Sequence, residues 1–341
     1  MLKKLALATV ACTIAYGAAA PAQAAADVTL RFSHFWPAVS AAQKDLFQAW
    51  ADTVAKESNG RIAVQIYPSQ TLAKAPAQYE AVKSRIADMT ATVQGYTANR
   101  FPLTQVVELP GIVQNAAHGS CIIQSLYDEG LIADEYKDTR PLFLFTHGQG
   151  NLHTTGKVVQ TPEDLAGLRI RRPTAVVAKI LEEAKSQPVG MPVPESYQSM
   201  QRGTIEGVSL PWEGVHAFRL NELAKSHTEI GLYTLSFVIT MNKDVYQGLP
   251  ADLRKVIDNN SGKAWSAKAA AHFDELDRLG REEAVKAGHK IVTVEGGAKN
   301  PAWKPILDRA TEAYLSELEG QGLPARKVYA RAVDLAQTCQ R

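Results

Sequence analysis

Arg169, Arg171 and Arg172 stand close together between Gly167 and Pro173. A guanidinium presents a planar fork of N–H donors that meets a carboxylate two-on-two, and such a charge-assisted pair is worth roughly 1.5–3 kcal/mol net. On a strand, alternation puts Arg169 and Arg171 on one face and Arg172 on the other. The competing reading is a solvated basic face, the usual fate of a charged run. Other chemistries lack their residues. There is no Gly-x-Ser-x-Gly elbow, no His-Glu-x-x-His and no Cys-x-x-Cys, and Gly148-Gln149-Gly150 lacks the third glycine of a dinucleotide fingerprint. The eight histidines are scattered without metal-ligand spacing, while Glu182-Glu183 and Glu282-Glu283 fall in helical patterns as solvated faces. No catalytic residue, metal or cofactor is expected, and a secreted hydrolase is set aside.

The elements that must position these residues alternate between strand-like and helix-like. Residues 28–32 alternate with period two, an amphipathic stretch at 41–57 closes on Asn59-Gly60, and 61–67 alternates again up to Pro68. A helix-like segment at 76–86 leads to a strand at 89–93, and the rhythm returns near 141–146 and 168–208. This order predicts an α/β chain with parallel sheets and helical crossovers. The last third differs: residues 251–286 form a nearly unbroken helical pattern, long enough to reach past one lobe, followed by a short strand at 291–294 and helices near 301–319 and 326–338. Open α/β sheets bind ligands beyond the carboxyl ends of their strands. The segments to search are therefore 34–37, 94–97, 147–153, 171–174 and 210–213.

Lys3 and Lys4 precede an apolar run at 5–15 and the small residues Ala22-Gln23-Ala24, the pattern of a secretory signal cut near Ala24. That run is too short for a permanent span, and no later stretch is long and apolar enough. A lipoprotein cut before Cys12 would halve the apolar region, so a cleaved signal is the reading. Removing residues 1–24 takes away two lysines and no acids, so the formal charge falls from +2 to zero. A neutral chain has no general affinity for nucleic acid or an anionic membrane. Its length exceeds what one core usually takes, so two lobes are expected. Cys121 and Cys339 then remain, either bridged in an oxidising compartment or buried apart.

Four segments occur in a familiar order. They are Ser58-Asn59-Gly60-Arg61-Ile62 with Tyr67-Pro68, then residues 161–173 reading TPEDLAGLRIRRP, then Gln201-Arg202-Gly203-Thr204-Ile205-Glu206-Gly207, and Met241-Asn242-Lys243 with Leu249-Pro250. From about Val28 to Leu335 the chain resembles the DctP-type solute-binding proteins of tripartite ATP-independent periplasmic (TRAP) transporters. The resemblance implies a two-lobe periplasmic binding protein fold, with a cleft between the lobes and a long helix spanning both. Lobe I would hold residues 25–148 and about 237–276, and lobe II 149–236 and about 277–341. Closure on a small organic acid would precede delivery to the TRAP permease subunits, driven by an ion gradient. A sensor kinase is the alternative partner.

Arg171 takes the position whose guanidinium pairs with the ligand carboxylate in relatives. Where sialic-acid-binding relatives have a second arginine, this chain has Gly150-Asn151, and where they have a ligand-binding asparagine it has Leu210. Losing one cation and one amide points away from dicarboxylates and sugar acids, toward a monocarboxylate with an apolar or aromatic body. Asn151 or His153 would donate a further hydrogen bond, with His34 another candidate donor. Phe35, Trp36, Tyr96, Trp212 and Phe237 are candidate walls, and Glu213 would orient a neighbour or accept from a ligand hydroxyl. The alternative for each aromatic is ordinary core packing, and for each histidine a structural role.

Overall fold

The structure, a computed structural model, describes residues 26–339; the expected signal segment lies outside the described residues. The first sheet contains β1 (Val28–His34), β2 (Ile62–Tyr67), β3 (Met89–Val93), β4 (Thr139–Thr146) and β10 (Ser236–Asn242), in the order β2-β1-β3-β10-β4. The second contains β5 (Gly150–Thr154), β6 (Arg169–Arg172), β7 (Gln187–Gly190), β8 (Gly207–Leu210), β9 (Ser226–Tyr233) and β11 (Lys290–Thr293), in the order β11-β9-β5-β8-β6-β7. Strand β3 reads Met-Thr-Ala-Thr-Val and is buried at every position, as a strand covered on both faces must be.

The sheets are mixed, which corrects the expectation of parallel ones. Strand β10 runs antiparallel to β3 and β4, and β5 antiparallel to β8 and β9, while the remaining pairs are parallel. The two reversed strands are those by which the chain changes lobes. It leaves the first sheet from β4 into β5 and returns from β9 into β10, so residues 147–149 and 234–235 form the joints.

The helical pattern at 251–286 resolves into two helices, Ala251–Asn259 and Gly262–Lys286. Asn260 breaks it: its amide donates to Glu57 and to the Val256 carbonyl and accepts from Trp265 Nε1, while Gly262 takes a positive φ of 67°. The second helix spans both lobes. Ser266 donates to the Leu144 carbonyl in β4, whereas Gly280 lies so close to helix Trp212–Ala217 that a Cβ would come within 2.4 Å of the Trp212 carbonyl oxygen.

Helix Lys304–Gly320 packs on helix Ala175–Glu183 of the second lobe, and the chain then crosses back. Its last helix, Ala325–Thr338, packs on helix Ala116–Asp128, to which the Cys121–Cys339 disulfide ties it. Residues from about 325 onward thus sit with the first lobe and not, as expected, with the second. The bridge joins residues 218 apart in sequence, a constraint on the unfolded chain typically worth about 2–4 kcal/mol.

Candidate ligand-binding site

Arg171 lies in β6 between β7 and β8, with none of its surface exposed. Its Nε donates to the Met191 carbonyl (3.0 Å), Nη1 to the Ser209 carbonyl (3.1 Å) and Nη2 to the Tyr96 hydroxyl (2.9 Å). Of its five N–H groups, three contacts leave two for something else. No carboxylate among the described residues pairs with it, whereas the neighbouring Arg169 pairs with Glu206 at 3.3 Å. A buried guanidinium cannot neutralise itself by losing a proton, and an uncompensated charge is costly, so this arrangement asks for an anion. Tyr96 extends the request. Its oxygen accepts from Arg171 and from the Val193 amide (3.1 Å), which leaves its own O–H to donate.

Beside this pair the lobes meet around an aromatic cavity of about 20 Å³, room for one water. Phe35, Trp36 and Phe237 line it from the first lobe, Leu210, Glu213 and Phe218 from the second, and His147 and Leu235 from the two joints. Phe35 stacks on Trp36 with ring centroids 4.0 Å apart, and Trp36 lies 5.5 Å from Phe237. Trp36 Nε1 reaches across to Glu213 (3.3 Å), as Tyr96 reaches Arg171 and Val193. Gly95 permits the approach, because a Cβ there would meet the Thr174 methyl at 2.4 Å. Hydrogen-bond donors and flat apolar walls are thus assembled from both lobes.

Five predicted residues join Arg171 here: Phe35, Trp36, Tyr96, Glu213 and Phe237. The other four make their hydrogen bonds elsewhere, although His34 Nδ1 is buried without a partner among the described residues. Asn151 accepts from the Ile230 and Gly231 amides (3.0 and 3.1 Å) and donates to the Gln149 carbonyl, fastening β5 to β9 where their register shifts. His153 Nε2 lies 3.0 Å from the Leu210 carbonyl and must donate to it, so Nδ1 accepts from His227 Nδ1 at 2.8 Å. The same logic runs outward: His227 Nε2 accepts from His289 Nδ1, and His289 Nε2 from Lys225. Burial favours the neutral form along this relay, pushing His153 down to about 4 and His227 to about 2. Trp212 packs on His153 and donates to Glu229, on the wall of a separate, more open space of about 450 Å³. His34 bonds Gln43 at 2.5 Å and packs on Phe47, and burial lowers it to about 4.

Sequence reasoning did not single out the acids behind the cavity. Asp274 and Asp277 on the spanning helix each cap a helix from a different lobe, Asp274 accepting from the Ala116 and Ala117 amides and Asp277 from that of Glu213. Burial raises Glu213 to about 8 and Asp277 to about 7, each helped by a neighbouring acid. The helical spacing of Asp274 and Asp277 was the available signal, but it looks like any solvated face. His147 was also missed, although it begins a segment marked for search.

A buried arginine without an acid partner, set where two α/β lobes meet over aromatic side chains, is the arrangement of a two-lobe solute-binding protein. Residues 32–317 match the bacterial extracellular solute-binding protein family 7, DctP, and the chain belongs to that family, the solute-binding proteins of TRAP transporters. A curated solute-binding protein of Albidiferax ferrireducens is 27% identical over 300 residues, covering 81% of this chain and 86% of its own. A TRAP solute-binding protein from Rhodoferax ferrireducens, solved with copurified benzoate, is 36% identical with a TM-score of 0.87, over 91% of this chain and 98% of that one. A marine metagenome protein specific for aromatic acids, solved with 3-hydroxybenzoate, is 34% identical with a TM-score of 0.89, over 93% and 100%. The family is extracellular and binds solutes rather than turning them over. No helix among the described residues is long and apolar enough to cross a membrane.

Proposed function

We propose that this chain captures an aromatic monocarboxylate outside the cytoplasm and hands it to a TRAP permease. The observation that carries the reading is the buried Arg171 fork, with two N–H groups and no acid partner, beside walls of Phe35, Trp36 and Phe237. Arg171 is the single arginine or lysine buried among the described residues, which suits one carboxylate and leaves a second uncompensated. Two solved relatives above 30% identity hold aromatic acids, in keeping with this choice. Arg171 belongs to the second lobe and Tyr96 to the first, so both contact one carboxylate only when the lobes are together. The ligand therefore favours closure, and a permease that reads closure receives a loaded protein. Isothermal titration against benzoate, phenylacetate, succinate and glucuronate tests this. The ring monocarboxylates are expected to bind most tightly; a preference for succinate or glucuronate overturns the reading.

A further inference from the structure

The cavity contains a polar atom that a carboxylate cannot satisfy. His147 stands at the joint where β4 leaves the first sheet, all but 2% buried, edge-on to Phe237 and Tyr233 at 5.8 Å each. Its Nδ1 lies 2.6 Å from the Gly148 carbonyl oxygen. A carbonyl only accepts, so Nδ1 carries the hydrogen. Burial and the positive charge of Arg171 oppose a second proton, holding this imidazole at about 3. Nε2 is therefore a bare lone pair, and it is buried without a partner among the described residues. The Tyr233 ring packs edge-on beside this imidazole, and its own hydroxyl lies near Ser209.

We infer that His147 Nε2 accepts a hydrogen bond from a hydroxyl group on the captured acid, which makes the preferred ligand a hydroxylated aromatic acid or an aromatic α-hydroxy acid. A carboxylate oxygen at Nε2 would set acceptor against acceptor, and Arg171 already claims that group. A hydroxyl differs because it donates through its own hydrogen. The cavity of about 20 Å³ also suffices for one water in the same role. An acid without a hydroxyl displaces that water and leaves Nε2 with nothing, so the site discriminates against it.

The inference rests on the aromatic-acid reading, and the experiment separates the two. Isothermal titration of the purified protein would compare benzoate with its 2-, 3- and 4-hydroxy isomers, and phenylacetate with mandelate. At least one hydroxylated acid is expected to bind about three- to tenfold more tightly than its parent, and which one tells a ring hydroxyl from an α-hydroxyl. In His147→Phe that ratio should fall to about one. His147→Gln keeps an acceptor and should preserve much of it, which covers the case in which the phenylalanine variant does not fold. Parent acids that bind as tightly as every hydroxylated one, or a ratio that survives in His147→Phe, overturn the inference alone. Failure of every ring acid to bind overturns the aromatic-acid reading and the inference with it.

Discussion

Arg171 and the pair Glu213 and Asp277 bring opposite charges into the same seam between the lobes, and their burial is resolved in opposite ways. None of the three forms an ion pair among the described residues. Arg171 has no acid partner among the described residues, so its counter-charge has to come from outside. The two carboxyls, raised to about 8 and about 7, take up a proton instead, and their hydrogen bonds run to Trp36 and to the Glu213 amide. An unpaired buried cation marks a place for a ligand, whereas unpaired buried acids mark a place whose charge follows pH.

The largest expected effect comes from removing the cation. Arg171→Met should weaken binding of a ring monocarboxylate by about a hundredfold or more, because the carboxylate would enter a buried site with no counter-charge. Titration calorimetry measures the loss, and an unchanged circular dichroism spectrum assigns it to the site; undiminished affinity would erase the contrast. Arg171→Lys should lose about tenfold or more, since one ammonium cannot hold Met191, Ser209 and Tyr96 and also present a fork. If lysine binds as well as arginine, only charge matters and the fork does not.

On the acid side the effects fall on stability. Asp277→Ala leaves the Glu213 amide without its acceptor and should cost about 1–2 kcal/mol in denaturant unfolding, whereas Asp277→Asn, which keeps an acceptor, should cost less. Equal losses would mean that the charge of Asp277, and not its hydrogen bond, matters there.

The smallest effect is in the pH profile. Glu213 and Asp277 have folded pKa values above their ordinary 4.5 and 3.8. At intermediate pH the folded chain holds protons that the unfolded chain has released. Their contribution is therefore full below about 4 and is lost as pH rises through 7 to 8. The buried His34, His147 and His153, held at about 4, 3 and 4 against an ordinary 6.5, act in the other direction, with a contribution that is full above 6.5 and lost as pH falls toward 4. The melting temperature should peak between these limits, and Glu213→Gln should flatten only the alkaline side. An unaltered alkaline slope would mean that Glu213 is not the titrating group.

Much of the fold was legible because its signals are local. Strands at 28–34, 62–67 and 89–93 and the helix reaching 286 follow from apolar spacing and from the Asn59-Gly60 and Pro68 stops. Strand β9 was not legible, since Ser226-His227-Thr228-Glu229 is polar and becomes a strand by pairing with β5 and β11. Segment 147–153, expected as a strand exit, is half joint and half β5. Around the cavity, the buried place of Arg171 agrees with its donor chemistry and the motif around it, and Tyr96, Trp36 and Glu213 reach the cavity from their places beyond strand ends. Asn151 and His153 instead meet backbone groups, at Ile230, Gly231 or Leu210, that no sequence distance announces.

The sequence by itself determined many of the strands and helices, an expectation of two lobes, and that a fork-shaped cation stands in a strand among three arginines. Those follow from periodicity and side-chain chemistry, which act over a few residues. Tertiary structure alone decided that Cys121 meets Cys339, that Arg171 lies fully buried without an acid, that Trp36 reaches Glu213, and that His147 is left with an empty lone pair. Each of these depends on how two sheets, joined at residues 147–149 and 234–235, come to face one another. Burial then converts such placement into energy, because a charge or lone pair that water would have satisfied must find its partner inside.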